Sequence, residues 1–396
     1  MGIIHVLDKS VSELIAAGEV VERPSSAIKE LVENSIDAGA TAITVEIQKG
    51  GMSFMLVTDN GCGFYPEDDK NAFLRHATSK VQKAEDLDGI ATMGFRGEAL
   101  ASISAVSRVE LLSRREGAVE GVRYMIDASE HVLYESAGCP VGTTIFIRDL
   151  FYNTPARLKF LKKDVSEANA VTGIVEKIAL VYPHISFRLI RDGEEKLHTP
   201  GDGQQLSAIY AVFGRDFASG LLPVNYTMNG LSVKGFVSKP HRARANRSMQ
   251  NFYVNRRYVK SRTCAAALEE GFKHALMVGK FPACVLELSI PPQSVDVNVH
   301  PAKIEVRFEN EKPIFDLVYF GVKNALHTGD VTVEGVLGKT RVTSKNEQTA
   351  QERMSAKEFQ RIWTENPSES SGKREITSSV FPTTEKANEK EKNFSA

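Results

Sequence analysis

Glu30, Asn34 and Asp37 stand at positions i, i+4 and i+7 of one stretch of chain. On a helix that spacing stacks the three side chains into a single polar stripe. A carboxylate in such a stripe can take a proton from a water molecule attacking a phosphate. An amide oxygen is a hard ligand for Mg2+, a cation that also binds phosphate oxygens and keeps some of its waters. A lone carboxylate–amide pair is more often a solvated helix face, so the weight lies in what accompanies it. Asp59-Asn60-Gly61-Cys62-Gly63 follows a strand-like run, Gly94-Phe95-Arg96-Gly97-Glu98-Ala99 opens a helix-like run, and Gly142-Thr143-Thr144 opens another strand. Glycines at these places permit close backbone approach, and N–H groups at a helix start can face phosphates.

The elements that must position these residues are marked by pattern. PSSAIKELVENSIDAGA, from Pro24, places Ala27, Ile28, Leu31, Val32 and Ile36 at helical spacing, with Pro24 suited to the first turn and Gly39 to the C-terminal cap. TAITVEIQKGGMSFMLVTDNG reads as a hairpin about Gly50-Gly51 whose second strand ends at Asp59. Strand-like SRVELLSR, GVRYMID, HVLYES and GTTIFIRDL follow a helix-like GEALASISAV, and VTGIVEKIALVY reads as another helix. Together they predict an α+β layered domain over residues 1–203. The pattern restarts at 204 with LSAIYAVFG, strands near LSVKGFVSKP, NFYVNRRYV and ACVLELSI, and a helix near KPIFDLVYFGVKNAL, which predicts a second α/β domain over 204–330. Beyond it Ser, Thr, Glu, Lys and Asn dominate, and a disordered linker is predicted over 331–396, with Trp363 in KEFQRIW, either a transient helix or a short amphipathic one formed on a partner.

Composition narrows the function classes. The 396 residues carry 49 Lys+Arg against 50 Asp+Glu, so no chain-wide basic field marks a nucleic-acid binder and any such contact must come from local patches. Cys62, Cys139, Cys264 and Cys284 form no CxxC pair and have no His at metal spacing, which argues against structural zinc and for reduced thiols. No run of about 18 apolar residues occurs, and Asp8 and Glu13 interrupt the start, so a cytoplasmic protein without a membrane span is expected. EGVLGKT at Glu334–Thr340 imitates a P-loop but has two residues between its glycines where four are needed, and GCGFYP has Pro66 where a dinucleotide-binding turn wants glycine.

In order and type, the motifs resemble the nucleotide-binding signature of the GHKL ATPases, the superfamily of DNA gyrase, histidine kinases and a heat-shock chaperone. IAAGEVVERPSSAIKELVENSIDAGA, VTDNGCGF, RHATSK, MGFRGEALASIS, DLFYNTPARLKFL and VDVNVHPAKIEVRF resemble the MutL family of DNA mismatch-repair proteins across residues 1–330. The resemblance implies a GHKL (Bergerat) α/β sandwich, then a ribosomal-protein S5 domain 2-like domain with a left-handed βαβ unit, and slow hydrolysis of ATP with Mg2+. It assigns the general base to Glu30 rather than Glu33, and the Mg2+ ligand to Asn34, with Asp37 among the nucleotide contacts. Asp59, supported by Thr143, is expected to accept from the exocyclic amine of adenine, with Gly61 and Gly63 passing under the nucleotide. Gly94, Phe95, Arg96, Gly97, Glu98 and Ala99 belong to a phosphate-covering lid. Thr78, Ser79 and Lys80 belong to the pattern without a fixed role. Lys303, in HPAK, is expected to reach the γ-phosphate from the second domain and so report ATP or ADP to domain orientation.

Basic clusters at Arg157–Lys163, Lys239–Arg247 and Arg256–Arg262 are candidate DNA surfaces, the last interleaved with Tyr253 and Tyr258. The resemblance implies sequence-nonspecific DNA binding in which Arg257 contributes, with Arg262 nearby and with Arg256 where many relatives have Gly. It further implies ATP-dependent dimerisation through the N-terminal domains, the segment before Pro24 being the exchange arm. The implied partners are MutS, the mismatch-recognition protein, and a downstream helicase, nuclease or replication clamp. A DQHAxxER endonuclease motif is absent from these residues, so no nicking activity is expected of them, and the family's C-terminal dimerisation domain is expected to be missing. Two alternatives are a topoisomerase ATPase subunit, which the HPAK context disfavours, and a DNA-binding scaffold that holds ATP without turnover, which Glu30 disfavours.

Overall fold

The computed structural model describes residues 5–80, 97–296 and 305–343, and the residues up to Gly335 form one compact unit. The chain opens with α1 (Lys9–Val20) and α2 (Pro24–Asp37), followed by the hairpin β1 (Ala42–Gln48) and β2 (Phe54–Asp59). Then come α3 (Ala99–Ala105), β3 (Arg108–Arg114), β4 (Gly121–Asp127), β5 (Glu130–Ala137), β6 (Gly142–Arg148), α4 (Pro155–Phe160), α5 (Asp164–Val181), β7 (Ser186–Arg191) and β8 (Glu194–His198). These strands make one eight-stranded sheet in the order β5-β4-β3-β6-β2-β1-β7-β8. Every neighbouring pair is antiparallel except β1 with β7.

The sheet is covered on one face by helices because its strands alternate. Ile43, Val45 and Ile47 of β1 are buried, and so are Met55 and Val57 of β2, against Ala27, Ile28, Leu31 and Val32 of α2 and Val171, Val175 and Ile178 of α5. The opposite face carries polar residues, where Glu110 accepts from Arg123 (2.8 Å) and Arg148 (2.9 Å). Pro24 opens α2, its missing N–H being no loss at a first turn, and Gly39, at φ +75°, closes it in the left-handed region. Both ends therefore lie where the sequence predicts them.

The second sheet follows α6 (Gln205–Phe213) and α7 (Arg215–Ala218). It comprises β9 (Leu221–Met228), β10 (Leu231–Ser238), β11 (Gln250–Val254), β12 (Arg257–Val259) and β13 (Cys284–Ser289), in the order β12-β11-β13-β10-β9, with α8 (Arg262–Gly271) between the parallel strands β11 and β13. A short pair, β14 (Val295–Asp296) and β15 (Arg307–Phe308), precedes α9 (Glu311–Thr343). Residues 205–218 pack with the first domain rather than the second sheet's own core. Ile209 and Phe217 share the first domain's core, as do Tyr253 and Val285 from the second sheet and Ala283 just before β13. Tyr253 is fully buried, and its hydroxyl donates to the Lys177 carbonyl at 2.8 Å.

The linker expected from 331 begins inside α9. A helix nucleated by the apolar Ile314–Leu326 face costs little to extend, and no proline stands in HTGDVTVEGVLGKTRVT to stop it. The Trp363 segment lies outside the described residues.

One ion pair fixes where α2 begins. Glu167 of α5 is 1 % exposed and accepts from Arg23, the residue before Pro24, through three contacts of 2.9–3.1 Å, and from the Lys162 N–H at 2.9 Å. Removing the carboxylate leaves a partly buried guanidinium and an amide without an acceptor. Glu167→Ala is expected to cost about 2 kcal/mol, toward the low end for buried pairs because Arg23 keeps some solvent. Urea unfolding checks this, and an unchanged midpoint removes the anchor.

Candidate active site

With one face of α2 packed on the sheet, its stripe of Glu30, Asn34 and Asp37 remains partly accessible. Lys29 bridges Glu30 at 3.2 Å and Glu33 at 2.9 Å. Burial pulls the Lys29 pKa down, but the two carboxylates more than offset this and the net shift is upward. The two glutamates differ in access: the Glu33 side chain is 6 % exposed and Glu30 25 %. Only Glu30 is open enough to meet a water molecule.

One turn on, Asn34 Oδ1 and Asp37 Oδ2 converge on a single cation, the Lys80 ammonium, at 2.9 and 2.5 Å. Nothing in the local sequence marks this contact, since Lys80 lies more than forty residues downstream. The preceding Thr78 shapes the turn, its hydroxyl accepting from the Lys80 N–H at 3.2 Å. Ser79, between them, is exposed.

Asp59 ends β2 opposite Thr143, the second residue of β6. It is 9 % exposed. Ser35 Oγ donates to Oδ2 at 2.6 Å, and the N–H groups of Gly61 and Thr143 donate to Oδ1 at 2.9 and 3.3 Å. A carboxylate has about four lone-pair sites, so three are filled and one remains for an incoming donor. Burial pushes the Asp59 pKa up, while the three hydrogen bonds oppose that rise without cancelling it. Ser35, on the buried side of α2, was not among the residues the sequence singles out, yet it ties the helix to this carboxylate.

The neighbouring loop is stitched rather than open. Asn60 Oδ1 accepts from the N–H groups of Thr41 and Ala42, both at 2.8 Å, and the Cys62 N–H donates to the Ala38 carbonyl at 3.0 Å. Gly61 and Gly63 are also required by the packing of the protein itself. A Cβ on Gly61 would stand 2.9 Å from Ala38, and one on Gly63, at φ +67°, would stand 2.4 Å from the Arg114 carbonyl. Their tight approaches are to the protein's own backbone.

Glu98 stands just before α3, within 3.3 Å of His76 Nδ1, with Gly97 ahead of it at φ +62° and Ala99 as the first helical residue. Gly94, Phe95, Arg96 and Lys303 lie outside the described residues. The candidate DNA residues part company. Arg262 is exposed at the start of α8, whereas Arg257 is 8 % exposed, which withdraws it from any phosphate backbone in this conformation. Arg256 occupies a left-handed turn position at φ +67°, lies 5.8 Å from the Tyr182 ring centroid and 4.0 Å from Glu287. Burial raises the Tyr182 pKa to about 12, with Glu33 and Asp37 adding to the rise and Arg256 and Arg257 opposing it. A separate cleft of about 500 Å3, lined by residues such as Lys49, Tyr152, Leu158 and Lys162, shares none of the stripe.

A mixed sheet backed by helices, with an acid-amide-acid stripe on one helix and a buried aspartate at the adjoining strand end, defines a GHKL-type ATPase domain. The family described as histidine kinase-, DNA gyrase B-, and HSP90-like ATPase matches residues 22–137, and the DNA mismatch repair protein, C-terminal domain family matches residues 209–327. The second sheet is accordingly the S5-like domain. Relatives called DNA mismatch repair protein MutL are 49 % identical over 79 % of this chain in Agathobacter rectalis and 44 % identical over 88 % in Symbiobacterium thermophilum, covering 48 % and 56 % of those proteins. The chain thus spans about half the length of the curated relatives it matches. Among solved structures, the Aquifex aeolicus MutL ATPase domain complexed with ADP aligns at TM-score 0.56 and 28 % identity over 76 % of this chain and 98 % of that one. The crystal structure of the N-terminal domain of a DNA repair protein aligns at TM-score 0.69 and 26 % identity, over 81 % and 99 %. The chain belongs to the MutL family of DNA mismatch repair proteins.

Ser35→Ala removes one of three hydrogen bonds from a buried carboxylate and is expected to cost about 1–2 kcal/mol at neutral pH. Asp59 already has a folded pKa above its unfolded one, so its ionised form is a liability above the folded pKa that is relieved as pH falls through it. The deficit of the variant should therefore be largest at pH 7 and shrink as the pH is lowered toward the folded pKa of the carboxyl. Urea unfolding across a descending pH series decides, and a constant deficit would assign the loss to packing alone.

Proposed function

We propose that this chain binds and slowly hydrolyses ATP, and that the nucleotide state controls self-association and DNA contact during mismatch repair. The observation that carries the reading is the pairing of the Glu30–Asn34–Asp37 stripe with Asp59 across the Ser35 hydrogen bond. One helix thus presents phosphate chemistry on one side and fixes a base-reading carboxylate on the other. Asp59 accepts the exocyclic amine of adenine at its remaining lone pair, which a guanine carbonyl oxygen could not satisfy. Glu30 takes a proton from the water aligned on the terminal phosphate.

The donor set fits a hard divalent ion, because an amide and a carboxylate oxygen already converge on one cation. Asn34 and Asp37 would hold Mg2+, which when bound supplies charge neutralisation for the phosphates. Glu98 and the segment from Gly94 cover the phosphates, and Lys303 contacts the terminal one from the S5-like domain. The position of Arg256 beside Tyr182 supports communication between that domain and α2. ATP-driven pairing of two chains through the N-terminal segment, and coupling to a mismatch-recognition protein and downstream nuclease, helicase or replication clamp, complete the proposal. DNA binding is sequence-nonspecific and uses exposed cations such as Arg262.

Glu30→Ala is expected to lower turnover at least about a hundredfold with ATP binding retained, the usual scale for a lost general base. Steady-state hydrolysis beside nucleotide titration tests this. Binding without turnover in wild type as well would make the protein an ATP-holding scaffold. Lys303→Met should depress hydrolysis with a modest loss of ATP affinity in the same assay, and unchanged turnover removes its role. DNA affinity should fall steeply with salt, and Arg262→Glu should reduce the slope of log K against log salt while Arg257→Lys leaves it unchanged. A slope indifferent to Arg262 moves the DNA surface elsewhere.

A further inference from the structure

Lys80 is the feature that the proposed mechanism leaves unused. Its side chain is 19 % exposed, and its ammonium sits on Asn34 Oδ1 and Asp37 Oδ2, the two oxygens assigned above to the metal. The carboxylate side chain is itself 11 % exposed, so this is a partly desolvated contact rather than a surface pair. Two cations cannot share the position: an ammonium at hydrogen-bond distance from both donors occupies the space and the lone pairs that a divalent ion needs, and like charges repel. We propose that Lys80 is a resident counter-cation which blocks metal binding to the nucleotide-free protein and is displaced when metal arrives with nucleotide.

The consequence is an ordered exchange of partners. Without nucleotide, Lys80 neutralises Asp37 and satisfies the Asn34 amide oxygen, so α2 is not left with uncompensated acceptors beside Glu30 and Glu33. When a nucleotide delivers a divalent ion, the ion takes Asp37 and Asn34, and the released ammonium has new acceptors in the phosphate oxygens. Charge is balanced on both sides: one cation leaves the carboxylate as another takes it, and the freed one meets the anion that came with its replacement. Apparent affinity for metal alone is then reduced by the fraction of molecules whose oxygens are unblocked. The turn that sets Lys80 in place, through the Thr78 hydroxyl, makes RHATSK a positioning segment for this ammonium.

This inference rests on the metal reading of Asn34 and Asp37, and the test separates the two. Mn2+, another oxygen-preferring divalent ion, is titrated into the full chain and followed by water proton relaxation enhancement, which rises only for ion held on the protein. Wild type without nucleotide should bind weakly, and Lys80→Met should bind at least about tenfold more tightly, as expected when a mostly populated blocked state is removed. Lys80→Gln, which keeps a hydrogen-bond donor and drops the charge, should move the same way. Adding Asn34→Ala to Lys80→Met should abolish the gain. With a non-hydrolysable ATP analogue, wild type should bind Mn2+ tightly. If Mn2+ affinity without nucleotide is the same in wild type and both Lys80 variants while the analogue still promotes binding, the counter-cation role is overturned and the metal reading stands. If wild type takes up no Mn2+ even with the analogue, the metal assignment falls and this inference with it.

Discussion

The structure depends on the fact that α2 must satisfy two environments at once. Its apolar residues are drawn into the core by the sheet, and its polar stripe cannot follow them because charged groups are costly to bury unpaired. The helix is therefore fixed in rotation about its own axis before any ligand contact is considered. Its position along the axis is set by Arg23 on Glu167 at one end and by the left-handed Gly39 at the other. The Ser35–Asp59 hydrogen bond then couples that helix to the sheet, so two sites of different chemistry share one rigid support. Preorganisation of this kind costs nothing at the moment a ligand binds, because the groups are already held.

Much of this is legible in the amino-acid sequence, and what is not has identifiable causes. α2 could be read because local rules agree there: helical periodicity, a proline at the start and a glycine at the end. The β1–β2 hairpin and β3 to β6 could be read because their two-residue alternation is clean. β9 was missed because Pro223 and Asn225 are poor strand residues, tolerated at the edge of the second sheet where one side makes no ladder. α8 was missed although Ser261 caps it, accepting from the Cys264 N–H at 3.2 Å; that signal was available in the sequence. The boundary at 203/204 marks where sequence patterns restart, but patterns do not reveal that Ile209, Phe217 and Tyr253 contribute to the first core.

The site shows the same division. Glu30, Asn34 and Asp37 are neighbours along one helix, so spacing suffices to group them. Ser35 and the contact of Lys80 with α2 escape because the partners are distant in the chain, and burial of Arg257 is a tertiary fact that a basic, aromatic-rich run does not disclose. The glycines after Asp59 were recognised as places of close approach, but sequence cannot say whether the approaching group belongs to a ligand or to the protein itself. Arg256 stands in a backbone conformation that glycine adopts freely, and its contacts with Tyr182 and Glu287 offset part of that local strain.

The one parallel pairing in the first sheet sets a schedule for folding. Ala42 at the start of β1 lies beside Ser186 of β7, so the strand that follows α2 acquires its second neighbour only after most of the domain has been made. Glu167, which anchors α2, also arrives late in the chain. During synthesis the helix carrying the polar stripe is present long before its anchor and the far side of its sheet exist, and long-range pairing of this kind is slow to form. The part of the protein that reads most clearly from its sequence is thus among the last of the first domain to become rigid as the chain emerges from the ribosome.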